Sequence, residues 1–424
     1  MVAVVVFAFV VLSALLVASG SNLIMELSGA LDALFEASRA PHFVQMHAGE
    51  IDRTEIDEWA AANEMVEEQQ TMEMVTVDGS ALYVGSAETP ETNTIMDVSF
   101  VSQNPQFDFL LDLDNQVIEV APGEVAVPIY YRERDGLRLG DTIRVADGGF
   151  DRSFRVAAFV RDAQMNPAIV HSKRFLVHEK DLSALHEHFA ETEYLIEFRL
   201  RDPGQAGAFG EAYASSGLPK KGTSVDRNLF MTLNGLSDGI VAGVVIVLSL
   251  LLMVIAILCL RFTILATMEE DVKEIGVMKA IGVGRRDIGR IYLTKYVVIG
   301  VVGSTAGYLA SLYLNPLLSA NVMLYMGQAH KGILGWAVPM LAAGGMGLMV
   351  VISCAIILRR LRQITAVEAL HSGDLRRPAG HLQVLSLRNS GPFGVNVFLG
   401  LRDVLQRYRL FGLLCFVFLF CAFV

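Results

Sequence analysis

The chain has 424 residues, of which 53% are hydrophobic and only 19% are charged, whereas about a quarter of the residues of a typical soluble domain are charged. The apolar residues are concentrated in long blocks, and four of these blocks approach or exceed the ~18 apolar residues of a membrane-spanning helix. A purely soluble protein is therefore excluded, and the sequence predicts an integral membrane protein.

The formal net charge of −11 is unevenly distributed along the chain. Residues 21–238 contain 17 Lys and Arg against 37 Asp and Glu, whereas the rest of the chain contains 17 against 8. Because nucleic-acid binding needs concentrated Lys and Arg, the acidic block argues against a nucleic-acid partner. All four cysteines lie in the apolar blocks, so no disulfide framework is expected.

Four complete spans and a truncated fifth are predicted from the apolar blocks. We place the spans, in chain order, at residues 2–20, 239–260, 296–314 and 335–358, with the fifth beginning near residue 410. No charged residue lies within the first four spans, which disfavours a secondary transporter or a channel, since intramembrane charges mark ion pathways.

The distribution of Lys and Arg predicts the orientation of the spans, because cytoplasmic loops carry the excess. Residues 261–295 contain seven Lys and Arg and residues 359–409 contain nine, whereas residues 318–334 contain only Lys331. We therefore expect a multi-pass protein of the plasma or inner membrane. Its N-terminus is expected in the cytoplasm and residues 21–238 on the extracytoplasmic side.

Apolar residues at helical spacing follow the first span and precede the second. We interpret these two segments as paired helical stalks, and two unrelated surface helices are the alternative. Between them, alternating runs at residues 142–145, 154–157 and 194–198 predict half-buried strands, and residues 147–149 predict a turn. An α+β extracytoplasmic domain is therefore expected.

The sequence contains no pattern that indicates catalysis. No HExxH pair or Gly-x-Ser-x-Gly motif occurs, and His186 and His188 are two residues apart, on different faces of a helix. We expect no catalytic, cofactor-binding or metal site in this chain. The phosphate-binding motif Gly-x-x-x-x-Gly-Lys-Ser/Thr is also missing, so ATP and Mg²⁺ are expected in a separate ATPase subunit.

Residues 268–284, with the sequence MEEDVKEIGVMKAIGVG, form the most informative segment. Its acidic start and its later lysines suit the dipole of a helix, and Gly282 and Gly284 are expected to end that helix. Three apolar side chains are expected on its accessible side: Ile275, Met278 and Ala280. An ordinary basic loop on the lipid surface is the alternative.

The sequence EIGVMKAIG at residues 274–282 resembles the signature of the FtsX/MacB-like permeases of ABC transporters. The order of one span, a large outer domain and three spans agrees with that family, and residues 135–141, DGLRLGD, resemble the Gly-Asp hairpin of its outer domains. The resemblance implies a coupling helix that docks into the ATPase subunit. The implied ATPase-coupling positions are Glu274, Ile275, Gly276, Lys279, Ala280 and Gly282.

Two features depart from the family pattern. Residues 366–371 read AVEALH where the family commonly has Pro-x-Glu-Ala-Leu-Arg, which puts the contact role of that segment in doubt. The basic amphipathic helix that usually precedes the first span is missing, but residues 399–409, LGLRDVLQRYR, resemble it. We therefore expect a second permease unit to begin near residue 398, the chain being the N-terminal part of a longer two-unit permease.

Glycines in the third span predict close packing of helices. Gly303 and Gly307 have GxxxG spacing, and Gly300 lies one turn earlier. Small residues let helices approach closely in lipid. These glycines are expected to pack either against a partner half or within the chain.

The predicted fold is a membrane α-helical protein, with four spans plus a truncated fifth, that carries a MacB-like α+β domain between spans 1 and 2. The first span and its stalk are expected at residues 1–38, and the extracytoplasmic domain at residues 39–225. The second stalk and the three-span permease domain with its coupling helix are expected at residues 226–372. A cytoplasmic linker, an amphipathic helix and the truncated span are expected at residues 373–424.

The expected function is that of a permease subunit that transmits ATP-driven motion from a separate ATPase to the extracytoplasmic domain. The motion would export or extract a substrate such as a peptide, lipoprotein, lipid or drug. An ABC-type signalling or scaffolding module that regulates a cell-wall enzyme or a sensor kinase is the alternative. The expected partners are an ABC ATPase subunit, membrane lipid, a second permease unit in the same chain or as a homodimer, and, as a further candidate, an extracytoplasmic protein.

Overall fold

The computed structural model describes residues 2–360 and residue 412, except residues 87, 93–94, 168, 190–191, 271–273, 275–276, 279–280 and 329–331. The predictions for residues 366–371, for the amphipathic helix at residues 399–409 and for the fifth span lie outside the described residues.

The described chain contains long helices before and after a region of strands. Its α-helices are α1 (Val2–Ala37), α2 (Arg53–Ala62), α3 (Ile129–Asp135), α4 (Glu179–His186), α5 (Ala206–Ser215), α6 (Arg227–Glu270), α7 (Arg285–Leu318), α8 (Ala320–Tyr325) and α9 (Ile333–Arg360). Its strands are β1 (Phe43–Ala48), β2 (Val66–Val77), β3 (Leu82–Val84), β4 (Asp97–Val101), β5 (Glu124–Pro128), β6 (Thr142–Asp147), β7 (Phe150–Val160), β8 (Ser172–Val177), β9 (Thr192–Leu200) and β10 (Ser224–Asp226).

The chain divides into two compact units. The first, which we call the helical unit, comprises Met1–Ser21, Val244–Leu314 and Ala337–Val424. The second, which we call the sheet unit, comprises Asn22–Gly243 and Asn315–Trp336. The sheet unit therefore extends beyond the predicted residues 39–225, because segments on both sides pack into its core.

Four helices of the described chain are long and apolar enough to cross a membrane, judged by length and composition. They are Val4–Ala37, Arg227–Arg261, Asp287–Leu318 and Ile333–Leu358. Each overlaps one of the predicted spans. Except at the fourth, the helix extends well beyond the predicted span, because polar residues continue it past the apolar block. The prediction of several long apolar helices is confirmed.

The core of the helical unit is made of apolar side chains from α1, α6, α7 and α9. One buried cluster contains Val6, Val10, Leu260, Ile264, Ile288, Tyr296, Val350, Cys354 and Leu358. A second contains Ala14, Ala18, Met253, Ala343 and Met346. Since lipid is as apolar as these side chains, close packing holds such helices together rather than exclusion of water.

The sheet unit contains one ten-stranded sheet among the described residues, in the order β10-β1-β9-β2-β4-β8-β5-β7-β6-β3. The pairs β4–β8 and β5–β7 are parallel and the other neighbours are antiparallel. The predicted strands at residues 142–145, 154–157 and 194–198 lie in β6, β7 and β9. The predicted turn joins β6 to β7 through Gly148 and Gly149, whose positive φ angles of 52° and 103° suit a two-residue hairpin.

Both faces of the sheet are buried at β1, whereas β6 exposes alternate side chains. Side chains alternate between the faces along a strand, so Phe43 joins an aromatic cluster with Phe198 and Phe209, whereas Val44 joins the large cluster on the other face with Leu195. The expectation of an α+β domain is confirmed at the level of the fold class.

The helical extensions of α1 and α6 contact each other within the sheet unit. A Cβ atom on Gly235 would lie 3.2 Å from Leu31 Cδ1 and 3.8 Å from Leu27 Cδ2. The guanidinium carbon of Arg227 lies 5.7 Å from the centre of the Phe35 ring, within cation–π range. The two helices are therefore in contact, and their role as paired stalks stays a prediction.

Candidate functional site: the coupling segment

We call residues 268–284 the coupling segment, after the role that the resemblance implies. Two of the six predicted ATPase-coupling residues are described in the structure. Glu274 is helical and exposed, and Gly282 lies in a turn after the helix. The other four, Ile275, Gly276, Lys279 and Ala280, lie outside the described residues. The geometry of the segment therefore comes from Glu274 and residues 277–278 and 281–284.

Gly282 ends the helix of the segment in a left-handed conformation, with φ of 96°. The N–H of Val283 donates to the carbonyl of Met278 at 3.0 Å, and the N–H of Ile281 donates to the carbonyl of Val277 at 3.0 Å. A bond across five residues over a left-handed glycine is the mark of a Schellman cap. The glycine spacing predicted this helix end correctly.

The segment has a packed side and an exposed side. Met278 and Val283 pack against the core cluster of the helical unit. Val277 and Ile281 are 54% and 74% exposed. Since residues 274, 277 and 281 recur at helical spacing, Glu274 lies on the same side as these two apolar residues.

The expectation that Met278 lies on the accessible side is wrong, because this side chain is half-buried against the core. Helical spacing alone shows which residues share a face, but it does not show which face meets the rest of the protein. The exposed apolar residues of the described segment are instead Val277 and Ile281.

Gly284 begins the next helix rather than ending the segment. Its carbonyl accepts hydrogen bonds from the N–H groups of Asp287 at 2.9 Å and Ile288 at 3.2 Å, at the start of α7. Asp287 is acidic in the first turn, where the helix dipole favours a negative charge. Its ion pair with Arg290, at 3.5 Å, is largely exposed and so contributes little.

The glycines of α7 lie where other helices of the same unit approach. A Cβ on Gly307 would lie 2.5 Å from the carbonyl oxygen of Val11, and one on Gly303 would lie 2.9 Å from Val10 Cγ1, both on α1. A Cβ on Gly300 would lie 3.1 Å from the carbonyl oxygen of Gly347 on α9. Of the two interpretations drawn from the sequence, these contacts are those of packing within the chain.

The sheet unit contains a buried ionic cluster that no sequence pattern indicated. The Arg174 side chain is 0% exposed and those of Asp108 and Asp162 are 1% and 5% exposed. Arg174 Nη1 donates to Asp108 Oδ2 and Arg174 Nε donates to Asp162 Oδ2 at 2.7 Å. Burial favours the neutral form of Asp162, but the charge and hydrogen bonds of Arg174 hold the pKa of this carboxyl below its usual value.

Glu197 lies on β9 beside this cluster, fully buried. Its carboxylate accepts hydrogen bonds from Gln70 Nε2 and Gln164 Nε2, each at 2.7 Å. Burial, followed by the charge of Asp108, raises the pKa of Glu197 well above its usual value, although Arg174 opposes the shift. The cluster links the segments around Asp108 and Asp162 to β8 and β9, which is a structural role.

Comparison with known proteins places the coupling segment in a family. Residues 246–366 match the family model described as FtsX-like permease C-terminal. No curated protein sequence matches the chain. The crystal structure of the periplasmic region of MacB from Actinobacillus actinomycetemcomitans is similar over 46% of this chain and 94% of that chain, with 11% sequence identity and a TM-score of 0.28.

The family match spans the second half of α6, residues 268–284 and the helices α7, α8 and α9. It includes residues 274–282, whose sequence carried the resemblance, but not residues 135–141. Residues 246–366 therefore match an FtsX-like permease C-terminal domain, which confirms the predicted resemblance to FtsX-like permeases.

Proposed function

We propose that this chain is a permease subunit that receives ATP-driven motion from a separate ATPase through residues 268–284. The observation that carries the proposal is the two-sided coupling segment. Met278 and Val283 fix one side to the core of the helical unit, whereas Val277 and Ile281 expose apolar surface beside Glu274 on the other. A fixed helix that exposes apolar side chains is suited to receive a displacement from a bound partner.

The motion would reach the sheet unit along α6. This helix is continuous from Arg227 to Glu270, and a displacement at its coupling end would be transmitted along it. The sheet unit would lie on the extracytoplasmic side and the N-terminus in the cytoplasm, as the excess of Lys and Arg in residues 261–295 and 359–409 favours. Work on the substrate would then occur at the sheet unit.

The partners and substrate follow from the same proposal. The ATPase would supply ATP and Mg²⁺, and a second permease unit, in the same chain or as a homodimer, would complete the assembly in the surrounding lipid. Export or extraction of a peptide, lipoprotein, lipid or drug needs no charged path through the spans, and none of the four predicted spans contains a charged residue.

Capture of the ATPase tests the proposal. An affinity-tagged chain with Ile281→Glu is purified from native membranes beside the unchanged chain, and copurifying ATPases are quantified by mass spectrometry. Ile95→Glu is the matched control, because Ile95 is 71% exposed but lies in the sheet unit. We expect Ile281→Glu to lose the ATPase and Ile95→Glu to keep it, with both chains inserted in the membrane.

The labelling of intact cells provides the second arm of the experiment. A cysteine at exposed Glu58 of the sheet unit should react with a membrane-impermeant reagent added outside, whereas one at Ile281 should not. Equal capture of the ATPase by the Ile281→Glu and Ile95→Glu chains would contradict the coupling role, and the reverse labelling pattern would contradict the orientation.

A further inference from the structure

The connection between α7 and α9 contains a short helix, α8, whose C-terminus is bound by side chains of the sheet unit. Arg161 Nε donates to the carbonyl of Leu324 at 2.9 Å, and Arg161 Nη2 donates to that of Met323 at 2.7 Å. Asn166 Nδ2 donates to the carbonyl of Tyr325 at 2.5 Å. The last carbonyls of a helix have no partner within it, and these donors bind those of Leu324 and Tyr325. The carbonyl of Met323 accepts from Arg161 as well as from the N–H of Gly327, at 3.2 Å.

The guanidinium of Arg161 is committed to this contact. The residue is 4% exposed, and its Nη1 donates to the carbonyl of Leu113 at 2.5 Å and to Asn115 Oδ1 at 2.8 Å. No carboxylate lies within ion-pair distance of it in the described part of the chain. Burial lowers the pKa of Arg161, but a guanidinium remains charged at any physiological pH. Carbonyl and amide oxygens therefore accept the hydrogen bonds of this buried cation, and the charges of Asp112 and Asp114 nearby favour its charged form.

The backbone that follows α8 lies directly on this guanidinium. Gly327 has φ of 92°, and a Cβ there would lie 2.9 Å from Arg161 Nη1 and 2.6 Å from Asn115 Nδ2. The apolar side of α8 is buried as well, since Val322 is 0% and Met326 is 2% exposed within the large core cluster. Polar and apolar contacts therefore fix both the end and the side of α8.

The stalk helix α6 joins the same contact region. Asn234 Nδ2 donates to the carbonyl of Ala163 at 2.9 Å, and Asn321 Nδ2 of α8 donates to both carboxylate oxygens of Asp238, at 3.1 and 3.2 Å. Asp238 is 6% exposed. Residues 161–166 thus contact α6 and α8 at once.

The loop that binds α8 is itself fixed to the sheet. Asp162 accepts two hydrogen bonds from Arg174 on β8, and Gln164 donates to Glu197 on β9. The next residues of the loop donate their backbone N–H groups to Asp162 Oδ1. The loop cannot move without disturbing the buried ionic cluster.

From these contacts we infer that α8 moves as one body with the sheet. The α7–α9 connection is then a third attachment of the sheet unit to the spans, in addition to α1 and α6, and Arg161 and Asn166 are its positioning residues. The inference rests on the proposed function, because the attachment matters when α7 and α9 are displaced by ATP. A displacement of either helix would then load the sheet directly through α8.

Distance measurement between spin labels tests this inference. Labels are placed at Glu58 on α2 and Ala320 on α8, both exposed, in a full chain whose four cysteines are replaced, reconstituted with and without the copurified ATPase. We expect one narrow distance distribution that ATP does not shift. Arg161→Met should broaden it and add a longer component, Asn166→Ala should broaden it less, and Arg161→Lys should restore most of the narrow component.

Arg144→Met is the matched control, because Arg144 makes two hydrogen bonds to Asp151 on the surface of the same unit. It should leave the distribution narrow. A broad distribution in the unchanged chain, a shift on addition of ATP, or unchanged narrow distributions in both Arg161→Met and Asn166→Ala would each overturn the inference. If no ATPase binds the chain, the proposed function fails, while the measurement without nucleotide still decides whether α8 is fixed to the sheet.

Discussion

Replacement of Gly307 by alanine should force α1 and α7 apart. A Cβ at this position would lie 2.5 Å from the carbonyl oxygen of Val11, 2.7 Å from the Cβ of Ala14 and 2.9 Å from the backbone nitrogen of Leu15. Two of these three atoms belong to the backbone of α1, so no side-chain rotation can relieve the overlap. The helices themselves must separate.

The size of the effect follows from two opposing terms. Overpacking of a well-packed core costs about 1–3 kcal/mol, and a rigid backbone neighbour favours the upper part of that range. Alanine is more stable than glycine within a helix by about 0.5–1 kcal/mol, which offsets part of the cost. We therefore expect Gly307→Ala to lower the free energy of unfolding by roughly 1–2 kcal/mol. In a unit of about 150–250 residues, each kcal/mol lowers Tm by about 2–4 °C.

Gly344→Ala is the control, because nothing lies within 4 Å of a Cβ at this position of α9. It should keep the helix-propensity gain without any overlap. Thermal unfolding in detergent, followed by size-exclusion chromatography of a fluorescent fusion, compares the two chains. Gly307→Ala should melt several degrees below the parent, and Gly344→Ala at or above it. Equal melting of the two variants would refute the packing argument.

Three further predictions concern single residues. Gly282→Ala should strain the left-handed cap by about 1–2 kcal/mol and weaken ATPase binding in a copurification assay. Gly289→Ala should leave binding unchanged, because nothing lies within 4 Å of a Cβ at this helical position. Equal binding by the two variants would contradict the role of the cap. Folding raises the pKa of Glu197, so the contribution of this residue to stability is lost as the pH rises above its unfolded pKa of about 4.3. We therefore expect Glu197→Gln to raise Tm at pH 8 and to leave Tm nearly unchanged at pH 4. A higher Tm at both pH values would contradict this explanation. Gly327→Ala should lower Tm more than Gly140→Ala does. Both glycines have φ of 92°, but only at Gly327 do atoms lie within 3 Å of the added Cβ. Equal melting curves would show that the contact with Arg161 contributes nothing to stability.

The amino-acid sequence by itself determined the features that depend on local order along the chain. Long apolar blocks predicted the membrane-spanning helices, because the thickness of the bilayer sets their length. The glycine at the end of the coupling segment predicted the helix end, because only glycine adopts a left-handed conformation at little cost. Residues 274–282 carried the resemblance that the family match confirms.

Only the tertiary structure decided which distant residues meet. Arg174 and Asp108 are 66 residues apart in the sequence, and Arg161 and Met323 are 162 residues apart. No local sequence pattern distinguishes these residues from other charged or apolar residues. The side of the coupling helix that carries Met278 was also assigned wrongly from spacing. Periodicity is a property of one element, whereas burial and pairing are set by the elements that pack against it.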